Sequence, residues 1–233
     1  VLVHGGGPEI EAMLKATGKE SRFVQGLRYT DEEMMNIVQM VLCGKVNKDL
    51  VSLMQQSGGN AIGLCGIDGG LLQAKQLKAN GEDLGFVGEV TSVNVQVIDD
   101  VLQAKYIPVI ATVALGIDEV AGHAMNINAD TAAAKIAAAL KAEKLILMTD
   151  IAGILRDVND ASSLISELEQ SQLQELITSG IVTKGMIPKV NCLTTALDGG
   201  VNEACIIDGR MKHSILLDLF SDEKIGTTIH KGN

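Results

Sequence analysis

Short apolar runs alternate along this chain with stretches whose apolar positions recur every three or four residues. These are the two periods of buried strands and amphipathic helices. Val1 to Val3 is a strand-like run that breaks at His4-Gly5-Gly6-Gly7-Pro8, and a helical pattern follows from Glu9 to about Lys15. Thr30 with Glu33 reads as a capping box opening a helix on Met34, Ile37, Val38 and Val41. A second helical stretch, Val46 to Met54, stops at the turn signal Ser57-Gly58-Gly59-Asn60. The pattern then predicts a strand from Ala61 to Cys65 and a hairpin-like alternation from Phe86 to Val95, at a rim or over a site. It continues with a helix from Asp99 to Lys105 and a strand from Ile107 to Val113.

Beyond Asp130 an Ala-rich helix is predicted to about Lys141, with Asn128 or Asp130 as its cap. Lys144 to Thr149 reads as a strand, turned out by Asp150-Ile151-Ala152-Gly153, and Ser163 to Gly180 as mostly helical. Pro188 suits the first position of a helix that Gly199-Gly200 would stop. Ala204 to Asp208, His213 to Phe220 and Thr227 to His230 complete the pattern as strand, helix and strand. Alternating β and α units predict an α/β fold, a three-layer αβα sandwich around a mainly parallel open sheet. The softest boundary divides an N-terminal lobe, residues 1–142, from a C-terminal lobe, residues 143–233. The chain opens at Val1 inside a strand-like run, which predicts a further strand before it.

Composition narrows the picture. Hydrophobic residues make up 46% of the 233 positions but aromatics only 2%, which suits aliphatic parallel strands flanked by helices. A net charge of −10 with no basic cluster argues against nucleic acid. No apolar run reaches the roughly 18 residues of a membrane span. The four cysteines (43, 65, 192 and 205) form no CxxC and are expected to be reduced and packed as small apolar residues.

Several polar sets fall at strand-to-helix junctions. His4-Gly5-Gly6-Gly7 has more glycine than a turn requires, and bare backbone N–H groups at a helix start attract an anion. Arg28 could grip a carboxylate in a bidentate fork, or form a surface ion pair. Asn126, Asn128 and Asp130 exceed the single side chain that capping needs. Lys189, in the first turn after Pro188, opposes the helix dipole, which suits a lysine facing an anionic ligand. Asp150 and Gly153 suit a nucleotide cleft. Neither GxxxxGK[ST] nor GxGxxG occurs.

These residues make the chain resemble the amino-acid kinase family, and within it the acetylglutamate kinase branch of cyanobacterial and plant type. The stretches that carry the resemblance are VLVHGGGPEI, GLRYTDEEMM, GKVNKDLV, GFVGEV, HAMNINADTAA, LILMTDIAGIL, GIVTKGMIPKV, IIDGRMKHSILLDLF and IGTTI. It implies phosphorylation of the γ-carboxylate of N-acetyl-L-glutamate by ATP, with Mg2+ carried by the nucleotide and no protein-held metal. Gly6 and Gly7 would bind substrate through backbone N–H groups, Arg28 would hold its α-carboxylate, and Asn126 would fix it further. Asp130 would organise catalytic lysines and Lys189 would stabilise the transferring phosphoryl group. Asp150, Ile151, Ala152, Gly153, Ile154 and Leu155, with Ile181, Val182 and Thr183, would line the nucleotide pocket.

The resemblance also implies arginine as an effector near His213 and Asp218, a PII-type nitrogen-signalling partner, homo-oligomers, and a cytoplasmic or plastid setting. Family members open with a Lys-x-Gly-Gly turn whose lysine contacts the phosphoryl group; a chain without it would be slowed about 100- to 1,000-fold. Gln25 and Glu11 stand where Asn is usual, Asp218 where Glu is, and Lys224 where Gly is. Glu11 brings negative charge towards an anionic substrate. Two other readings stay open: a regulatory module that binds without turnover, and another carboxylate or carbamate kinase on the same fold.

Overall fold

Three of the apolar runs, Leu2–His4, Ala61–Cys65 and Ile107–Ala111, form a parallel sheet with the last strand in the middle. The middle strand carries the burial: Val109, Ile110 and Ala111 are fully buried, as aliphatic positions of a covered parallel strand are expected to be. The computed structural model describes residues 1–79, 81–182, 185–221 and 225–232. It divides into two units, Val1–Ala132 and Ala133–Asn233. That division falls inside the Ala129–Leu140 helix, upstream of the 142/143 boundary expected from the sequence.

In the first unit, helix Gly7–Ala16 follows the first strand. Helix Glu32–Gln39 then runs through a π-helical stretch, Met40–Val46, into helix Asn47–Gln56. The sequence predicted two separate helices here. A π-turn adds a residue to each turn, so it shifts the phase of the apolar stripe without breaking the rod. Its cap also differs from expectation: Asp31 accepts the Met34 N–H at 2.8 Å, while Thr30 is fully buried and points elsewhere. Met34, Ile37, Val38, Val41 and Leu42 pack with Ile10, Leu14, Ala111 and Val113 into one core.

The hairpin prediction near residue 86 proves to be part of a closed four-stranded barrel of Leu72–Ala79, Glu82–Val93, Val113–Gly116 and Ala124–Asn126. Helix Val95–Gln103 starts earlier than the pattern suggested. In the second unit the sheet order is Lys144–Thr149, Glu203–Asp208, Gly226–His230, Glu167–Glu169, with only the middle pairing antiparallel. Helix Ile187–Asp198 carries Pro188 in its first turn and buries Leu193 and Leu197 with Leu145, Ile206 and Ile229. The long helix expected from Ser163 to Gly180 is absent among the described residues: only Leu173–Thr178 is α-helical, and Leu168 pairs with Ile229 in the sheet. Tertiary pairing outweighs the helix propensity of its Glu and Gln. The four cysteines are free thiols.

Candidate functional site

His4 and Cys65 are both in register with Ala111 at the carboxyl ends of the first unit's parallel strands. Gly5 and Thr112 therefore leave the sheet at one edge, where α/β proteins place ligands. A Cβ on Gly5 would lie 3.2 Å from Ala129 Cβ, and one on Gly6 2.8 Å from Leu42 Cδ2; one on Gly7 would enter open space. Two glycines thus permit close packing and the third leaves room. Gly6 caps helix Gly7–Ala16, so the positive end of its dipole lies at the turn.

His4 is 8% exposed. Its Nδ1 is 2.9 Å from Gly5 O, and its Nε2 is 3.1 Å from Asn47 Nδ2. Because an amide nitrogen can only donate, Nε2 accepts and Nδ1–H donates to Gly5. This neutral ring steadies the glycine turn. Burial lowers its pKa, opposed by the Gly5 hydrogen bond and aided by the Lys48 charge.

Arg28 stands on a two-residue hairpin: Phe23–Val24 pairs with Leu27–Arg28 across Gln25 (φ 51°) and Gly26 (φ 81°). Its backbone is tied to the barrel through Thr30, whose N–H donates to Leu84 O at 3.0 Å and whose carbonyl accepts from Phe86 N–H at 2.6 Å. That seam requires Gly85, at φ 69°, because a Cβ there would lie 2.1 Å from Thr30 O. The Thr30 hydroxyl donates to Arg28 O at 2.8 Å and accepts from Asn126 Nδ2 at 3.1 Å. Thr30 therefore joins the two expected substrate residues, a role hidden behind its resemblance to a helix cap.

Gly5, Gly6, Gly7, Arg28, Asn126 and Asn128 line one cavity of about 200 Å³, with Ile10, Leu42 and Val87 as part of its apolar wall. Backbone N–H groups, a guanidinium and an amide make it a place for a small, acceptor-rich anion. Asn128 caps the following helix, accepting Thr131 N–H at 3.0 Å, and Asp130 occupies that helix's first turn. Arg28 is 9% exposed. Its Nη1 donates to Glu11 Oε1 at 2.5 Å and to Ser21 Oγ, and its guanidinium lies over the Phe23 ring at 4.8 Å. The Ser21 hydroxyl and Arg28 hold the Glu11 carboxyl below its usual range. Glu11 thus points at the guanidinium.

In the second unit, Thr149 and Asp208 are paired at the ends of neighbouring parallel strands, and Asp150 to Leu155 follow the first of these. Ile154 N–H donates to Thr227 Oγ1 at 2.8 Å. Gly153, at φ 144°, would bring a Cβ 2.6 Å from that oxygen, so only glycine fits this bend. Ile154 and Val182 are buried in the core and Ile181 packs against it; the Ile154 N–H and carbonyl are bonded to Thr227 and Ile165, and the Val182 N–H to Leu176 O. Thr183 lies outside the described residues. Lys189 stands in the first turn of helix Ile187–Asp198. Beside this loop Arg210 grips Asp208 through Nε at 2.9 Å and Nη2 at 2.8 Å, which holds the Asp208 carboxyl down at about 2.

Asp218 lines a separate small cavity with Lys144, Glu203 and His230. Lys144 Nζ is 2.8 Å from Asp218 and 3.6 Å from Glu203. His213 is exposed at the start of helix Ser214–Phe220, with φ 63°. Among the described residues no group of three His, Cys, Asp or Glu side chains is arranged to hold a metal.

A sequence model of the amino acid kinase family matches residues 1–208. The chain is 54% identical over 230 residues to an acetylglutamate kinase of Clostridium beijerinckii, covering 99% of this chain and 80% of that relative. It is 54% identical over 231 residues to an acetylglutamate kinase of Thermoanaerobacter sp., covering 99% and 76% respectively. Among solved structures it is similar to smu.665 from Streptococcus mutans UA159, with a TM-score of 0.80 and 31% identity over 99% of this chain and 85% of that one. With more than half its residues shared along nearly its whole length, the chain belongs to the amino acid kinase family, and within it to the acetylglutamate kinases.

Proposed function

We propose that the chain phosphorylates the γ-carboxylate of N-acetyl-L-glutamate with ATP, a step of arginine biosynthesis. The observation that carries this reading is a cavity of the first unit where Gly6, Gly7, Arg28 and Asn126 come together. The α-carboxylate is assigned to Arg28, since a planar guanidinium matches a carboxylate. Asn126 holds the substrate through an amide that Thr30 already orients. The backbone N–H groups of Gly6 and Gly7 meet the carboxylate that accepts the phosphoryl group, where negative charge accumulates.

The nucleotide is assigned to the second unit, to Asp150–Leu155 and Ile181–Thr183. The bend at Gly153, which admits no side chain, fits a backbone-lined cradle. Bound nucleotide with its Mg2+ supplies the transferable phosphoryl group. Lys189 is assigned to the charge on that group, and Asp130 to holding lysine ammonium groups in place. Phosphoryl transfer asks for positioning and electrostatics more than for covalent help.

ADP release coupled to N-acetyl-L-glutamate, with hydroxylamine trapping of the acyl phosphate, tests the reading. The expected result is turnover with N-acetyl-L-glutamate that L-glutamate and carbamate do not match. Turnover with carbamate alone would replace this reading by another kinase of the fold.

We also assign an L-arginine effector near His213 and Asp218, with the Asp218 and Glu203 carboxylates of the small cavity taking its guanidinium in place of Lys144. Calorimetry with L-arginine on the wild type and on Asp218→Asn checks this. A homo-oligomer and a PII-type partner belong to the same reading, and sedimentation with and without that partner tests both.

A further inference from the structure

We infer that Glu11 is a resident counter-ion of the substrate site, one that the α-carboxylate of the incoming substrate must displace from Arg28. The inference rests on the kinase reading and adds a specificity element to it. Arg28 is almost fully buried, with its side chain 8% exposed, whereas the Glu11 side chain is 47% exposed. A buried guanidinium without a partner is strongly unfavourable. Glu11 meets that need by the 2.5 Å contact to Nη1, with Ser21 Oγ bound to the same two groups.

Two carboxylates on one guanidinium nitrogen would repel each other a few ångströms apart. An α-carboxylate that forks across Nη1 and Nη2 contests the place Glu11 holds on Nη1, and Glu11 is the one with somewhere to go. It stands on helix Gly7–Ala16 and lines an outer groove with Lys15, Lys19, Glu20, Ser21 and Phe23. Phe23 also lines the inner cavity, so its ring is a wall shared by the two. Turned outward, the Glu11 carboxylate enters water in a groove lined by Lys15 and by Lys19, whose ammonium is paired with Glu33. An ion pair with one half-exposed member is weak, so the displacement is cheap enough to permit binding and large enough to raise the substrate concentration needed.

Glu11→Gln keeps the shape and the hydrogen bonding but removes the competing charge. Calorimetry and steady-state kinetics with N-acetyl-L-glutamate should show Kd and KM falling about three- to tenfold in this variant, with kcat within about twofold. N-acetyl-L-glutamate carrying an α-amide in place of the α-carboxylate should show no such gain. An unchanged or higher KM would mean that Glu11 orients Arg28 instead of competing for it, and the inference would fall. An equal gain with the α-amide would also overturn it, because the effect would not run through the carboxylate at Arg28. Equal binding by wild type and variant sinks this inference alone; no binding by either sinks the reading of the cavity as well.

Discussion

Burying a primary amide is costly unless each of its polar atoms finds a partner, and Asn47, 1% exposed, meets that condition with four contacts. Its Nδ2 reaches Val109 O at 2.9 Å, Leu64 O at 3.2 Å and His4 Nε2 at 3.1 Å, while Oδ1 accepts from Lys48 Nζ at 2.9 Å. The opposite strand gives way to it: a Cβ on Gly63 would lie 2.0 Å from Asn47 Oδ1. Gly63→Ala is therefore expected to lose about 1–3 kcal/mol, measured by chemical denaturation. In an Asn47→Ala background the same change should cost little, and a double-mutant cycle reads the coupling. His4, held by this amide, gives a pH prediction. Burial depresses its folded pKa, so below about pH 6.5 the unfolded chain takes up the proton more readily. The stability that neutral His4 contributes is full above that value and is lost as pH falls towards the lowered folded one. Melting profiles from pH 7.5 to 5 should show the wild type losing more stability than His4→Gln across this window, and parallel profiles would refute it.

The hairpin that carries Arg28 depends on two successive positive φ values, at Gln25 and Gly26. A two-residue turn of this kind favours Asn-Gly, because a short amide side chain tolerates the left-handed region better than a long one. Gln25→Asn is expected to raise stability by roughly 0.5 kcal/mol and to leave the KM for N-acetyl-L-glutamate within twofold. A fall in melting temperature would show that the Gln25 side chain holds the hairpin by contacts of its own. Elements set by local pattern were legible from the letters: Ala61–Cys65, Lys144–Thr149 and the helix after Pro188 follow directly from apolar runs and breakers. Elements made by long-range pairing were not. Leu72–Ala79 carries Gln73, Lys75, Gln76 and Lys78 and becomes a strand because Glu82–Val93 pairs with it. Glu167–Glu169 has one buried leucine and a neighbouring strand to thank for its conformation.

At the scale of the whole chain, the residues that line one cavity with Gly6 and Gly7 stood out in the sequence because three glycines beside a strand are hard to account for otherwise. Thr30 and Glu11 were harder to read. The role of Thr30 lies in a buried hydroxyl bridging Arg28 and Asn126, and the direction in which Glu11 points is a property of packing. The division of labour that follows is testable. Gly6, Gly7, Arg28 and Asn126 belong to the unit Val1–Ala132, while Lys189 and the loop after Thr149 belong to Ala133–Asn233. Variants in the two units should therefore fail in different ways. Lys189→Ala removes a cation assigned to the transferring group, so kcat should drop about 100- to 1,000-fold, the usual loss for one positioned donor. Calorimetry should still find N-acetyl-L-glutamate bound with its wild-type Kd. Arg28→Ala removes a charge-assisted pair from the ground state as well, so KM should rise about 10- to 100-fold while nucleotide binding persists. If Lys189→Ala weakened N-acetyl-L-glutamate binding as much as Arg28→Ala does, the lysine would be a substrate anchor, and its assignment to the phosphoryl group would have to be given up.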